Sequence, residues 1–320
     1  LFDDLSKTIN DLGSNLIHAL GSVQDFLGKE LSVKKPVRSG VFQLVGDTPI
    51  VYLPKLSTDE LGVKFYLKAE FYNPTGSGKD RSNLAIIEDK TKRNKWKLGE
   101  SLGVIGSGSS ALSFVWASQT MGFRCVSFLP ESCPKQIQDK FKSYGSEIVM
   151  IPDLNYNDKY ILENWKTKVN HFPDLQGDVA IPNVHYRFTG PEIYRDLNGE
   201  VDVFVCGGGS GGTITGVGRF LKSKLPQCKI VLAVEEGYDI LGRVKNNPYP
   251  DVFDPNIIDE VLEIKKEEGL RAQMELYQKE GIFTGLTTGI TLAGASRFAQ
   301  KFLEKRDTPY KIVVLSPDRD

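Results

Sequence analysis

The sequence predicts an α/β protein built on mainly parallel, twisted sheets flanked by helices. Three observations predict it. From residue 101 onward, short apolar runs rich in β-branched residues alternate with segments of helical length. Several of these runs end in glycine- and hydroxyl-rich turns, where such sheets take ligands beyond the carboxyl ends of their strands. The composition is that of an ordinary globular chain of 320 residues, 40% hydrophobic and 25% charged, enough for one large or two medium domains.

Taken in order, residues 1–31 stand apart. Phe2, Leu5, Ile9, Leu12, Leu16, Leu20, Val23, Leu27 and Leu31 fall at steps of three and four, on one helical face. Gly13, Gly21 and Gly28 weaken that helix. It reads as a helical arm, either packing on its own domain or crossing to a second copy. It has no Arg and carries Asp3, Asp4, Asp11, Asp25 and Glu30, unlike a mitochondrial transit peptide. The first residue is Leu1, as in a processed or trimmed chain.

A linker at 34–40 leads to a turn and short strand at 45–53, then to an alternating strand at 63–69. Asn73-Pro74-Thr75-Gly76-Ser77-Gly78-Lys79 follows, with a helix directly behind it. Next come a strand at 101–105, a turn at 106–110, a helix at 111–121 and a strand at 123–130. A helix at 135–144 and a strand at 147–151 precede a loop-rich passage. Gly190-Pro191 opens a helix with proline in its first turn. The strand at 201–206 runs into Gly207–Thr213 and a helix to about residue 221. A strand at 230–234, helices near 266–280 and 290–306, and a strand at 312–316 complete the pattern.

The bulk numbers exclude several classes. With a net charge of −1 there is no basic field for nucleic acid or an acidic membrane. The sequence has no apolar run long enough to span a bilayer. Cys125, Cys133, Cys206 and Cys228 have no metal spacing and read as reduced intracellular thiols, in keeping with a cytoplasmic protein. Three histidines argue against a His-rich metal site, and no metal is expected.

Chemistry concentrates in the turns. A lysine at a helix start meets amides and a dipole that disfavour its cationic form, and Schiff-base chemistry uses a lysine of lowered pKa. Lys79 is therefore either a reactive lysine or an ordinary turn residue. Gly207–Thr213, between strand and helix, can converge backbone N–H groups and the Ser210 and Thr213 hydroxyls on a phosphate. Gly207, Gly209 and Gly212 also fit Gly-x-Gly-x-x-Gly with Glu235 downstream, the dinucleotide pattern. A nucleoside-triphosphate loop fits less well, because Asn73 and Asp80 stand where glycine and Ser or Thr are needed. Gly106–Ser110 and Gly285–Gly289 are hydroxyl clusters at helix starts, read as caps or as ligand contacts. With Lys79 they point to a small polar ligand with a carboxylate and a ring nitrogen.

From about Val45 to Asp320 the chain resembles the fold-type II pyridoxal-phosphate (PLP) enzymes, the tryptophan synthase β-like group. Cysteine synthase, the cystathionine β-synthase core and 2,3-diaminopropionate synthase are the members it is most similar to. The motifs are VGDTPIVYL, NPTGSGKDR, GSGGTITGVGRFLK, EGIFTGLTTG, TGPEI and SPDRD. The resemblance implies two domains behind the 1–39 arm and linker. A smaller substrate domain at 40–190 would carry the lysine, and a larger one at 191–320 the phosphate loop. It implies that Lys79 holds PLP as a Schiff base and shuttles the α-proton. Gly209, Ser210, Gly211, Gly212 and Thr213 would bind the phosphate, and Thr287 the pyridine nitrogen. Ser107, Gly108, Ser109 and Ser110 would receive the substrate carboxylate. The implied function is β-replacement or β-elimination on serine, cysteine or an O-activated serine through an aminoacrylate, in a homodimer.

Departures from the family pattern are local. Its Thr-Ser-Gly-Asn-Thr-Gly turn is Gly106-Ser107-Gly108-Ser109-Ser110-Ala111 here, so Ser109 replaces the Asn that contacts the cofactor's 3′-oxygen. The Gly-Ile-Gly turn before the segment at 258–261 is absent. Gln176 is the candidate for the substrate-binding glutamine, and without a Cys-His pair near the N-terminus no haem is expected. Two alternatives are carried: a catalytically weak PLP-binding homologue acting through a protein partner, and an NAD-binding oxidoreductase.

Overall fold

A computed structural model describes residues 40–57, 62–238, 251–302, 304 and 306–319. The expected arm at 1–31 and most of the loop at 247–251 lie outside them. Two sheets form the framework. The larger has six strands in the order β1 (Ile50–Tyr52), β2 (Val63–Ala69), β9 (Tyr310–Ser316), β6 (Val203–Gly207), β7 (Lys229–Glu235), β8 (Glu260–Ile264). Only the β1–β2 pair is antiparallel among these. The smaller sheet is parallel, in the order β3 (Ser101–Ile105), β4 (Arg124–Pro130), β5 (Glu147–Ile151).

The central strands are apolar on both faces, as strands covered by helices on both sides must be. On β6 and β9, Val203, Val205, Ile312 and Val314 face a core shared with α8 (Lys266–Glu280) and α9 (Leu286–Phe302). Phe204, Cys206, Val313 and Leu315 face the opposite core. That core includes Ile193 of α6 (Gly190–Asp196) and Ile214, Val217 and Leu221 of α7 (Gly212–Lys224). The smaller sheet packs against α1 (Lys79–Lys92) and α2 (Ser109–Thr120) through Ile86, Ile87, Leu102, Val104, Phe114 and Val115. Its third helix is α3 (Lys135–Ser143), whose Phe141 is buried in the same core.

The expected domain boundary at residue 190 falls at the start of α6, after α5 (Ala180–Val184) and a π-helical turn at His185–Thr189. The six-stranded sheet takes β1 and β2 from one side of it and its other strands from the other. Inside the loop-rich passage lies α4 (Asp158–Trp165), one eight-residue helix capped by Asn157, whose side chain accepts from Tyr160 N. The segment at 258–261 leads into β8, an edge strand in which Glu260 is half-buried and Glu263 exposed. The last long helix starts at Leu286, four residues before the expected start.

Candidate active site

The strands β2, β6 and β9 end at one cleft. Its lining includes Ser77, Gly78, Lys79, His185, Cys206, the run Gly207–Gly211, Thr213, Thr287 and Asp318. The non-atom space, counting the open mouth, is about 750 Å³.

Lys79 is the first residue of α1, behind Gly78. The turn before it is held from within: Asp80 accepts from Thr75 N (2.7 Å) and from Thr75 Oγ1 (2.6 Å). Among the described residues the Lys79 amine donates no hydrogen bond, so it is available to a ligand in the cleft. Burial holds its pKa below the usual lysine range, opposed by the Asp318 carboxylate and by Cys206.

Behind the lysine lies a buried ionic network. Arg81 Nε donates to Glu70 Oε2 at 2.7 Å, and Arg81 Nη1 and Nη2 donate to Glu192 at 2.7 and 2.6 Å. Lys68 Nζ donates to Glu192 Oε2 at 2.7 Å and to the Thr48 carbonyl at 2.6 Å. Thr48 Oγ1 donates to Glu70 Oε1 at 2.6 Å. Two cations thus face two carboxylates. Burial of Glu192 opposes ionisation, but Arg81 and Lys68 prevail and hold its pKa down to about 2. Such a set stays in place only because every member is paired. It fixes the start of α1 to β2, α6 and the turn at 46–48, and so fixes where Lys79 emerges.

The second wall is the turn at 207–213. Gly211 has φ +85°, the left-handed region that glycine adopts without a Cβ penalty. A Cβ there would lie 2.2 Å from the Phe253 ring, and one at Gly212 2.4 Å from Ile181 Cγ2. Gly211 caps α7 without a side-chain bond, leaving first-turn amides at the cleft. Ser210 and Thr213 add hydroxyls, and this is the donor set an organic phosphate needs.

His185 braces the wall against α1. Its Nε2 lies 3.2 Å from Thr213 Oγ1 and 3.3 Å from Ser82 Oγ, and its Nδ1 2.9 Å from Thr189 Oγ1. Burial pushes its pKa down to about 3, so it works as a neutral imidazole. Cys206 is also buried, which pushes its thiol up to about 12 and leaves it protonated.

Thr287 sits in the first turn of α9 and lines the cleft. Lys79, Gly209, Ser210, Gly211, Thr213 and Thr287 are therefore brought together; Gly212, the next residue of the turn, opens α7. The turn at 107–110 is placed differently. Ser107 and Gly108 are exposed, the Ser110 carbonyl accepts from Asn83 Nδ2 at 2.8 Å, and Ser109 reaches the cleft through Asp318. Gln176 lies in an exposed turn, its N–H on Asp174 Oδ1 at 3.0 Å, away from the cleft lining. Sequence reasoning gave no role to Glu70, His185, Glu192, Cys206 or Asp318, although Glu192 and Asp318 lie in the motifs TGPEI and SPDRD.

The family profile described as "Pyridoxal-phosphate dependent enzyme" matches residues 41–318. The chain belongs to this family. Cysteine synthase B of Salmonella typhimurium is 33% identical over 278 residues, covering 85% of this chain and 89% of the relative. A solved hydrogen sulfide-producing enzyme from Fusobacterium nucleatum is similar with a TM-score of 0.78 and 27% identity, covering 88% of this chain and 98% of that one. A solved O-ureido-L-serine synthase is similar with a TM-score of 0.79 and 25% identity, covering 89% and 92%. The chain is thus a PLP-dependent enzyme of the fold-type II, cysteine synthase-like group, and the dinucleotide reading of Gly207, Gly209 and Gly212 gives way. The buried amine, the uncapped glycine turn and the hydroxyl of Thr287 fit that cofactor. Among the described residues no helix is long and apolar enough to cross a membrane.

Proposed function

We propose that this PLP enzyme carries out β-replacement or β-elimination on serine, cysteine or an O-activated serine. The observation that carries the reading is the convergence of Lys79, the turn at 209–213 and Thr287 on one cleft. When bound, PLP supplies an aldehyde for the substrate's amino group and a ring that draws electrons from Cα. Lys79 Nζ is the group that would hold the aldehyde carbon, and the amine that then takes and returns the α-proton. Its pKa, lowered by burial, suits a base that must be neutral to accept a proton. The amides and hydroxyls of Gly209, Ser210, Gly211, Gly212 and Thr213 would hold the phosphate, with Thr213 kept in place by neutral His185.

Thr287 offers the pyridine nitrogen a neutral hydroxyl rather than a carboxylate. A neutral partner does not hold that nitrogen protonated, which limits charge delocalisation into the ring and favours loss of a β-substituent. Ser107, Gly108, Ser109 and Ser110 would take the substrate carboxylate, and Gln176 would need to swing in from its exposed turn to assist. The same reading includes a homodimer in the cytoplasm acting on small amino acids.

The test is to add L-serine, L-cysteine and O-acetylserine in turn to the holoenzyme, with sulfide supplied as second nucleophile to serine and O-acetylserine only. At least one should shift the cofactor's visible band and yield pyruvate, sulfide or cysteine. A band unmoved by all three would contradict the reading and favour a PLP-binding homologue acting through a protein partner.

A further inference from the structure

The short segment after β9 is bonded to three of the turns around the cleft, at 76–78, at 109 and at 285. The Pro317 carbonyl accepts from Gly78 N at 2.8 Å, directly before Lys79. Asp318 forms a backbone bridge with Ser77. Its carbonyl accepts from Gly285 N at 3.4 Å, and Arg319 N donates to the Gly76 carbonyl at 3.3 Å. The backbone of Asp318 is thus tied to the lysine turn on one side and to the turn before α9 on the other. The side chain takes a third direction. Asp318 Oδ2 accepts from Ser109 Oγ at 3.1 Å. Ser109 opens α2, which packs on the smaller sheet, so this bond runs from the end of the larger sheet to the smaller one.

A serine hydroxyl has one proton to donate. While Asp318 holds it, Ser109 cannot donate to a second carboxylate. Two carboxylates at one donor also repel, because like charges brought together in a cleft cost several kcal/mol in the binding of either. We propose that Asp318 is a specificity-determining residue that competes with the substrate: its carboxylate holds Ser109 in the empty site and yields it when a substrate α-carboxylate docks on residues 107–110. This rests on the reading of 107–110 as the carboxylate-binding turn. Asp318 then sets how strongly the enzyme demands an α-carboxylate, through the strength of the contact that must be exchanged.

The test compares L-serine with ethanolamine, the same amine and hydroxyl without the carboxylate. Dissociation constants are read from the shift of the cofactor's visible band in the holoenzyme. Asp318→Asn should bind serine about tenfold or more tighter than wild type, with ethanolamine unchanged. Asp318→Ser, smaller and uncharged, should move serine binding in the same direction. In a Ser109→Ala background the gain from Asp318→Asn on serine should shrink, because the shared donor is gone and only the repulsion between the two carboxylates is left to relieve. Serine binding that is unchanged or weaker in both Asp318 variants overturns the inference, as does an equal change for serine and ethanolamine, which marks a structural role. If serine binds wild type no more tightly than ethanolamine, the carboxylate-turn reading itself fails, and the inference with it.

Discussion

Lys79 emerges where water does little to hold its charge, and His185 sits deeper still. Both are consequences of burial, and burial makes a prediction about acid stability. His185 has its pKa lowered from 6.5 to about 3 in the folded chain. Below 6.5 the unfolded chain binds a proton that the folded chain refuses, so this contribution is complete above 6.5 and is lost as pH falls toward 3. Glu192, lowered from 4.5 to about 2, adds a second loss that begins below 4.5. The urea midpoint should therefore drop as pH falls from 6.5 to 4.5 and drop more steeply below that. His185→Gln should flatten the upper limb and make the lower one shallower down to about pH 3, leaving there the loss due to Glu192. An unchanged upper limb in that variant would contradict a buried, neutral His185. These residues were legible only in part. A histidine with no special spacing has no signature in the sequence, because its partners Thr213, Ser82 and Thr189 come from separate elements. Lys79 was legible because its glycines and its following helix are local.

At the scale of elements, the glycine turns were the readable features, since each is one continuous stretch whose small residues have a local reason. Gly211 makes the reason testable. Its φ of +85° is strained for any other residue, and its neighbour Phe253 leaves no room for a Cβ. Gly211→Ala should weaken PLP binding by about tenfold or more and cost about 1–3 kcal/mol of stability. Removing the clash in a Gly211→Ala, Phe253→Ala double variant should not restore PLP affinity, because the backbone strain remains. Equilibrium dialysis of PLP and urea titration would check both, and wild-type affinity in the single variant would contradict the geometry. The turn at 106–110 was also readable as a hydroxyl cluster, but its tether was not. The Ser109–Asp318 bond joins residues 209 positions apart, and no local pattern announces it. Short elements were hidden for a different reason: α4 has one cap and two turns of helix, too little for periodicity to stand out.

For the whole molecule, the alternation of strands and helices made the α/β class and its parallel sheets legible. The pairing of the strands was less so. β2 lies beside β9, with Phe65 opposite Ile312, a partnership set by burial of both faces rather than by nearness in sequence. That pairing brings the end of β2 to the end of β9, and the buried set of Lys68, Glu70, Arg81 and Glu192 then locks α1 to it. The cleft is the product of this arrangement, with a lysine from one stretch, a glycine turn some 130 residues later, and the segment after β9 bonded to the lysine turn. In the proposed function PLP is held at Lys79. Borohydride reduction of the holoenzyme, followed by proteolysis and mass spectrometry of the labelled peptide, shows which lysine holds it. A single pyridoxyl label is expected on the peptide containing Lys79, absent in Lys79→Ala; a label on another lysine, or none, would rule Lys79 out as the residue that binds PLP.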